Sequence, residues 1–216
     1  MKTGDSTSPF VITIGRQFGS GGRVLGKLLA EHLGIEFFDK ELLLQAARKS
    51  GVIPQLYEHK DERMPSVLGG GIPFTMGLIN SAPWTASTSV SDESMQCAIA
   101  DTIRDLAASR SCVIVGRTAD YVLRDNPRCV NVFIHAAEAE CIKRVMQRGE
   151  CASEADARAM CRKINKFRAA YYNFYTDKRW GHSSSYHLTV DSASLPMKHL
   201  ANFIAGYVRT FISNRN

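Results

Sequence analysis

Glycines and arginines crowd one short stretch near the start of the chain, ITIGRQFGSGGRVLGKLLAEHLG over residues 12–34. Apolar residues precede the glycines and a helix-period pattern follows them, so the stretch predicts a strand, a glycine-rich loop and a helix. A helix N-terminus that is reached through glycines points backbone N–H groups and the positive end of the helix dipole at one spot. The stretch therefore predicts a binding site for a phosphate group.

The loop differs from the common phosphate-loop pattern GxxxxGK[ST] in its charged residues. Counting back from Gly21 reaches Arg16 rather than a glycine, and Gly22 and Arg23 follow where lysine and Ser/Thr are expected. Either Arg16 or Arg23 could supply the missing positive charge, because a guanidinium fork matches phosphate oxygens well. The loop is therefore a candidate phosphate site without the usual lysine.

Two rival interpretations of the loop stay open on these residues. A glycine-rich turn without a ligand has the same composition, and a dinucleotide-binding loop is disfavoured because GRQFGSGG lacks the GxGxxG spacing. The loop also offers few ligands for magnesium, since Val24 brings no hydroxyl and Ser20 is the nearby residue that carries one. The metal ligands are therefore left unassigned.

Five short apolar runs predict the strands that would position this loop. Each run is continuous rather than alternating, which is typical of strands that are covered on both faces in a parallel sheet. The runs are FVITIG (10–15), IEFF (35–38), CVIVG (112–116), VNVFIHA (130–136) and YHLTVD (186–191).

Apolar residues at helical spacing predict helices between these runs. One helix follows Ser153 and Asp156, a start similar to a capping box, and Pro196 opens the last helix. The predicted core-facing residues are Met95, Ile99, Ile103 and Leu106, then Met160, Ile164, Phe167, Tyr171 and Phe174, then Met197, Leu200, Ile204, Tyr207 and Phe211. The alternation of strands and helices predicts an α/β fold with right-handed crossovers.

Length and composition limit the class of protein. The 216 residues, of which 44% are hydrophobic, suit one folded domain with or without insertions. A formal net charge of +6 favours anionic partners, which include phosphates, nucleic acid and acidic lipid. No apolar run approaches the roughly 18 to 20 residues of a membrane span, and the opening MKTGDSTSPF lacks the apolar core of a signal peptide. The six cysteines contain no CxxC pair, and together with these two features this predicts reduced thiols in a cytoplasmic protein that has no membrane partner.

Residues 50–92 interrupt the alternation of strands and helices. The segment is rich in Gly, Pro, Ser and Thr, with Trp84 and other apolar residues scattered through it. A connection of this length in a compact domain is usually functional or disordered. We predict an insertion that covers a ligand site.

Seven segments, taken in order, resemble the cytidylate-kinase-like family, a branch of the P-loop nucleoside monophosphate kinases. They are GRQFGSGGR, FFDKELL, CVIVGRTADYVL, VFIHA, RVMQRG, NKFRAAYYNFYTDKRWG and YHLTVDS. The resemblance implies a P-loop NTPase-type three-layer α/β/α fold with a five-stranded parallel sheet and a helical lid. It implies a single P-loop kinase domain over residues 1–216, with a monophosphate-side insertion at about 50–92 and a lid at about 144–182.

The implied reaction uses ATP and Mg²⁺ and transfers the γ-phosphoryl group of ATP to CMP, dCMP or a related monophosphate. The Gly-Gly-Arg form of the loop is normal in that family. Partners would be small-molecule nucleotides rather than nucleic acid. The residues expected to bind ATP are Gly15, Arg16, Gly19, Ser20, Gly21, Gly22, Arg23, Val24, Arg144 and Arg148.

Three residues are expected to bind the acceptor, and Arg117 is the best defined of them because it directly follows the run CVIVG. In the family the similar Gly-Arg-Asp segment contacts the monophosphate and the base. Thr118 replaces that aspartate here, and Asp120 lies two residues further on, so the preference for cytosine is open. Asp39 either contacts the acceptor or caps the helix that begins at Lys40.

Arginines late in the chain are the expected lid residues. Arg144 and Arg148 lie one helical turn apart, where they form either a solvated face or the start of the lid. The main lid arginine falls on Arg162 or Arg168, and we favour Arg168. Asn165 stands where family members tend to carry Asp. The catalytic cations implied in this way are Arg23, Arg117, Arg162 and Arg168.

Two other functions are consistent with parts of the sequence. The absent lysine and hydroxyl favour a P-loop protein that binds a nucleotide without turning it over. Net charge and the aromatic, basic segment YYNFYTDKRW favour nucleic-acid binding through stacking. We do not expect nucleic acid, because Tyr171 and Phe174 are explained as part of the core stripe.

Overall fold

Five parallel strands form a single sheet that positions the candidate residues. The computed structural model of the protein describes residues 8–49 and 90–215. Neighbouring strands pair in parallel in the order β2-β3-β1-β4-β5. The strands are β1 Val11–Arg16, β2 Glu36–Phe38, β3 Cys112–Val115, β4 Cys129–His135 and β5 Leu188–Asp191. Each predicted run is a strand to within two residues at either end, so the predicted parallel sheet is confirmed.

Helices cover both faces of the sheet. Their bounds are α1 Gly22–Leu33, α2 Lys40–Lys49, α3 Val90–Ser109, α4 Ala119–Val122, α5 Glu138–Gln147, α6 Glu154–Thr176 and α7 Met197–Ser213. One apolar cluster joins α1 and α7 to residues such as Ile12 and Ile14 of β1. A second cluster joins α2, α3 and α4 to Val11 on the opposite face of the same strand. The fold is therefore the predicted three-layer α/β/α arrangement, and burial on both faces explains the continuous apolar runs.

A third cluster supports the glycine-rich loop from the side. Phe18 of the loop packs with Cys141 and Val145 of α5 and with Cys161 and Ile164 of α6. The loop is thereby held between the end of the sheet and these two helices. The packing of Phe18 therefore fixes the position of the loop relative to α6.

The start of α6 and the burial of Ile164 agree with the sequence, but the predicted core position of Phe174 does not. Ser153 accepts the backbone N–H of Asp156 at 3.1 Å, which confirms the predicted cap. Phe174, predicted to face the core, is 68% exposed, so that prediction is wrong. The buried residues of α6 are Ala157, Cys161, Ile164, Tyr172 and Thr176.

The spacing of these residues explains the difference. Intervals of three and four residues from Ala157 to Thr176 pass through position 168, where the chain carries arginine. The apolar side chains of Phe167, Tyr171 and Phe174 therefore suggested a stripe rotated away from the real one. Position 174 does not belong to the buried stripe of α6, so packing in the core does not explain the aromatic ring there.

Two further predictions concern the insertion at residues 50–92 and the lack of membrane-spanning segments. The insertion predicted at 50–92 lies outside the described residues, apart from the start of α3 at Val90. Among the residues that the structure describes, no helix is both long enough and apolar enough to cross a membrane.

Candidate functional site

The loop between β1 and α1 presents the N-terminus of α1 to the edge of the sheet. Gly19 and Gly21 have φ angles of 79° and 75°, in the left-handed region. Gly21 is the N-cap of α1, gives it no side-chain cap, and no acidic residue lies in the first turn. The first N–H groups of the helix therefore lack intrahelical acceptors, and the dipole makes this end positive. The geometry suits an anion, as the sequence predicts.

Gly19 has no room for a side chain. A Cβ at this position would lie 2.6 Å from the carbonyl oxygen of Cys141 and 2.8 Å from its Cβ. Because left-handed backbone costs a non-glycine residue about 1 to 2 kcal/mol and overpacking about 1 to 3 kcal/mol, we expect Gly19→Ala to lower the free energy of unfolding by roughly 2 to 5 kcal/mol. Urea denaturation measures this difference.

Gly34 provides the matched control for that variant. Its φ is 65°, and a Cβ there would have no atom of the described residues within 4 Å. Gly34→Ala should therefore lose only the backbone part, roughly 1 to 2 kcal/mol. Equal losses of unfolding free energy in the two variants would show that the contact with Cys141 does not exclude a side chain at position 19.

Two adjoining clefts open at the carboxyl ends of the strands. The loop cleft is lined by Gly19, Gly21, Gly22, Arg23, Asp39 and Arg148, among others. The tyrosine cleft is lined by Thr118, Asp120, Phe167, Tyr171, Tyr172 and Tyr186, among others. Arg16 and Arg168 line both clefts and therefore lie at the boundary between them.

Three arginines from three elements converge on these clefts. Arg16 ends β1, Arg117 follows β3 in the tyrosine cleft, and Arg168 lies within α6. In the described parts of the chain, none of the three forms an ion pair with a carboxylate. Arg168 instead donates from Nη1 to the carbonyl oxygen of Arg16 at 3.1 Å.

The electrostatics of the three guanidinium groups favour an anionic ligand. Burial and the nearby charge of Arg117 lower the pKa of Arg16 from its ordinary value to about 10, although Asp39 opposes the change. Burial also lowers the pKa of Arg117. Burial, Arg16 and Arg148 lower the pKa of Arg168 well below its ordinary value. Since each shift reports a cation that is deprived of water or repelled by another cation, a phosphate between them would be stabilised.

Asp39 binds the candidate cation Arg23 and also caps a helix. Arg23 donates from Nε at 2.8 Å and from Nη2 at 2.7 Å to Oδ2 of Asp39. Oδ1 of Asp39 accepts the backbone N–H groups of Glu41 and Leu42, each at 3.1 Å. The capping role considered for Asp39 is therefore present, and both carboxylate oxygens have partners.

Arg144 holds the loop from outside the two clefts. It donates from Nη1 to the carbonyl oxygen of Ser20 and to Oγ of Ser192, both at 2.8 Å, and from Nη2 to the carbonyl oxygen of Ser192 at 3.0 Å. Oγ of Ser192 donates to the same Ser20 carbonyl at 2.6 Å. The predicted ATP residue Arg144 thus lies beneath the loop, whereas Arg148 lines the loop cleft and pairs with Glu150 at 2.8 Å.

The other predicted loop residues take different positions. Ser20 is fully buried and donates from Oγ to the carbonyl oxygen of Gln17 at 2.9 Å. Val24 is 57% exposed at the loop cleft. Gly15 lines the tyrosine cleft, with Phe133 beside its Cα. Ser20 therefore directs its hydroxyl into the loop itself.

Helix α6 makes polar contacts with both sides of the site. Oδ1 of Asn165 accepts the backbone N–H of Phe18 at 2.7 Å, so this amide performs an orienting role in the loop. One turn later Arg168 reaches Arg16, and Tyr172 donates its hydroxyl to Oδ2 of Asp120 at 2.5 Å. Neither Asn165 nor Tyr172 was assigned a contact from sequence. The signal that could have found them is their spacing from Arg168 along one helix face.

Arg162 lies elsewhere on α6. Its Nε donates to Oε1 of Glu138 at 2.9 Å, and its side chain is 68% exposed. Arg158 pairs with the same glutamate at 2.8 Å. The structure therefore brings Arg168 into the clefts and leaves Arg162 in a surface ion-pair network.

The turn after β3 holds Arg117 in unusual backbone geometry, and Asp120 follows it in α4. Gly116, Arg117 and Thr118 have successive φ angles of 82°, 58° and 50°. Non-glycine residues in the left-handed region are strained and cluster at functional sites. The turn brings Arg117 and Asp120 into the same cleft.

The buried carboxyl of Asp120 makes the free energy of unfolding depend on pH. Burial raises its pKa above the ordinary value of 3.8, although the hydrogen bond from Tyr172 lowers it. The folded protein therefore binds this proton more tightly than the unfolded chain, and stability falls as the pH rises from about 3.8 through the folded pKa. We expect the unfolding free energy of Asp120→Asn, relative to wild type, to increase between pH 4 and pH 7. Urea titrations at both pH values measure it, and a difference that does not change with pH would contradict it.

Metal ligands are not assembled in advance in the described residues. No group of three or more His, Cys, Asp or Glu side chains there could hold a metal ion. Asp39 and Asp120 are the carboxylates that line the clefts together with Glu41 and Glu150. The side chains of the described residues therefore do not by themselves define a magnesium site.

Comparison with known proteins identifies the class of the fold. The sequence profile of the cytidylate kinase-like family matches residues 11–194. An uncharacterized protein from Eubacterium ventriosum ATCC 27560 has 29% identity and a TM-score of 0.68, over 93% of this chain and 98% of that chain. No curated protein matches the sequence.

Two more distant structures share the fold alone. A gluconokinase from Sinorhizobium meliloti 1021 has 16% identity and a TM-score of 0.52, over 96% of both chains. A shikimate kinase from Acinetobacter baumannii in complex with shikimate has 17% identity and a TM-score of 0.50, over 94% of both chains. The predicted P-loop α/β fold is confirmed.

Proposed function

The chain belongs to the cytidylate kinase-like family, and from that premise we propose that it is an ATP-dependent nucleoside monophosphate kinase acting on CMP, dCMP or a related monophosphate. One observation carries the proposal: Arg16 and Arg168 lie at the boundary of two clefts with Arg117 beside them in the tyrosine cleft, and none of the three has a carboxylate partner among the described residues. Two adjoining anion sites suit a donor and an acceptor that both carry phosphate.

The two clefts take different substrates in this proposal. The loop cleft binds the ATP phosphates through the N-terminus of α1. The tyrosine cleft binds the acceptor, with its phosphate against Arg117. Arg16 and Arg168, which line both clefts, would surround the transferring group. Phosphoryl transfer requires in-line positioning and positive charge around the equatorial oxygens, and these arginines provide the charge.

A phosphate acceptor also fits the carboxylates at the site. A hydroxyl acceptor is served by a carboxylate that takes its proton, as in protein kinases. Asp39 has partners on both oxygens, and Asp120 accepts the hydroxyl of Tyr172. A monophosphate oxygen is already an anion and needs no such base, so the engaged carboxylates favour a nucleoside monophosphate.

The proposal includes a lid over residues 144–182 and a cytoplasmic location. A lid that closes over the clefts would exclude water and so limit hydrolysis of ATP. Membership of the family implies that Mg²⁺ is a cofactor, and when bound it would neutralise charge on the ATP phosphates.

The test is ADP formation from Mg·ATP with CMP, dCMP, UMP, AMP, GMP or no acceptor. Shikimate and gluconate serve as hydroxyl acceptors in the same experiment. We expect turnover that depends on a nucleoside monophosphate, with the pyrimidines preferred. Turnover with a hydroxyl acceptor alone would contradict the proposed acceptor class.

A second candidate is a P-loop protein that binds a nucleotide without turning it over. Gly22 and Arg23 at the lysine and hydroxyl positions favour it. Thermal stabilisation by ATP without turnover of any acceptor would support this candidate against the kinase.

A further inference from the structure

The two departures from the phosphate-loop pattern at positions 16 and 22 are in contact. A Cβ added to Gly22 would lie 2.6 Å from Cβ of Arg16 and 3.1 Å from its Cγ. Gly22 begins α1, and its φ lies outside the left-handed region, so backbone conformation does not require glycine there. The stem of Arg16 therefore occupies the space in which a side chain at position 22 would begin.

The guanidinium group of Arg16 needs a second glycine at the other end. A Cβ added to Gly116 would collide with Nη1 of Arg16 and would lie 3.0 Å from its Cζ. The side chain thus lies along the carboxyl edge of the sheet between Gly22 and Gly116. It ends where the loop cleft and the tyrosine cleft meet.

Arg23, the alternative cation, is already neutralised. Its guanidinium group holds Oδ2 of Asp39 through two donors, at 2.7 and 2.8 Å, and its side chain is 68% exposed. Arg16 has no carboxylate partner in the described chain and is the more buried of the two. An incoming phosphate would therefore gain more from Arg16.

We propose that Arg16 supplies the donor phosphates with the charge that a lysine at position 22 supplies in GxxxxGK[ST] loops, and that arginine at 16 and glycine at 22 are one compensated exchange. The inference rests on the proposed function because it concerns the same donor site. Its steric part is independent of any ligand.

Thermal unfolding tests the steric part. Gly22→Lys should lower Tm by roughly 3 to 10 °C, because its Cβ overlaps the stem of Arg16. Arg16→Gly/Gly22→Lys removes that overlap and should regain most of the loss. Arg16→Ala/Gly22→Lys keeps a Cβ at position 16 and should stay destabilised, which makes it the matched control. Equal Tm values for the two double variants would overturn the exchange.

Calorimetric titration with ATP and with inorganic tripolyphosphate tests the charge. Arg16→Gly should weaken binding of both probes by roughly 10- to 100-fold, since one charge-assisted contact is lost. Arg16→Gly/Gly22→Lys should bind within a few-fold of wild type, because the lysine of the common pattern is restored. The exposed cation Lys27 on α1 is the control, and Lys27→Ala should bind like wild type.

The outcomes separate this inference from the proposed function. Unchanged binding by Arg16→Gly, or a folded Arg16→Gly/Gly22→Lys variant that stays weak, overturns the role of Arg16 and leaves the kinase intact. Binding without turnover of any acceptor overturns only the kinase. A wild-type protein that binds neither probe overturns both.

Discussion

Replacing Arg168 by alanine is expected to lower kcat/KM for phosphoryl transfer by about 100-fold or more, with most of the loss in kcat. Its side chain lines both clefts, and its Nη1 donates to the carbonyl oxygen of Arg16 at 3.1 Å. Removing one preorganised donor that faces developing charge typically costs about 10² to 10³ in kcat. A loss shared equally by kcat and kcat/KM would mark an interaction made in the transition state.

Steady-state kinetics with the best acceptor of the panel measures this effect. Arg158→Ala is the matched control, because Arg158 lies on the same helix in surface ion pairs with Glu138 and Glu154. Arg168→Lys keeps the charge but not the guanidinium fork and should fall between wild type and alanine. Wild-type kcat in a folded Arg168→Ala protein would remove Arg168 from the mechanism, and Arg162→Ala would then test the other lid candidate.

Arg117→Ala is expected to raise KM for the monophosphate and to lower kcat/KM by tenfold or more. Arg117 lies in the tyrosine cleft with Tyr171 nearby, and burial lowers its pKa. An anionic acceptor would relieve this buried charge. One charge-assisted contact is worth roughly 1.5 to 3 kcal/mol, which sets the tenfold minimum.

The comparison of substrates makes the Arg117 experiment specific. KM for ATP should change much less than KM for the acceptor, because Arg117 lines the tyrosine cleft and not the loop cleft. Arg124→Ala is the control, since the guanidinium of Arg124 lies on the surface over the ring of Tyr121, 4.5 Å from its centroid. Unchanged acceptor kinetics in Arg117→Ala would exclude this role.

The sheet was predictable because its signal is local. Strands buried on both faces must be apolar throughout, so runs such as VNVFIHA stand out from the amphipathic helices around them. The loop was predictable for a similar reason, since glycines between a strand and a helix leave few other structures. Arg117 was found in the same way, at the end of a clear strand.

Helix α6 shows where local patterns are insufficient. Apolar type alone selected Phe174 for the core, yet this ring is 68% exposed. The buried stripe passes through Arg168, a polar residue that the clefts require, so the pattern of residue types points to the wrong face. The sequence favoured Arg168 but left Arg162 as an alternative lid residue, because both are basic residues on one helix.

The sequence by itself determined the succession of strands and helices along the chain, the phosphate loop and the family. Each of these depends on residues that are close together or on motifs in a fixed order. Only the tertiary structure decided which charges meet. Arg168 and Arg16 are 152 residues apart, and Arg144 and Ser20 are 124 apart. The carboxyl ends of parallel strands bring such residues to one edge, and packing of α6 selects the side chains that face it. The pairing of Arg23 with Asp39 and the contact of Arg16 with Gly22 likewise depend on side-chain directions, which residue spacing does not encode.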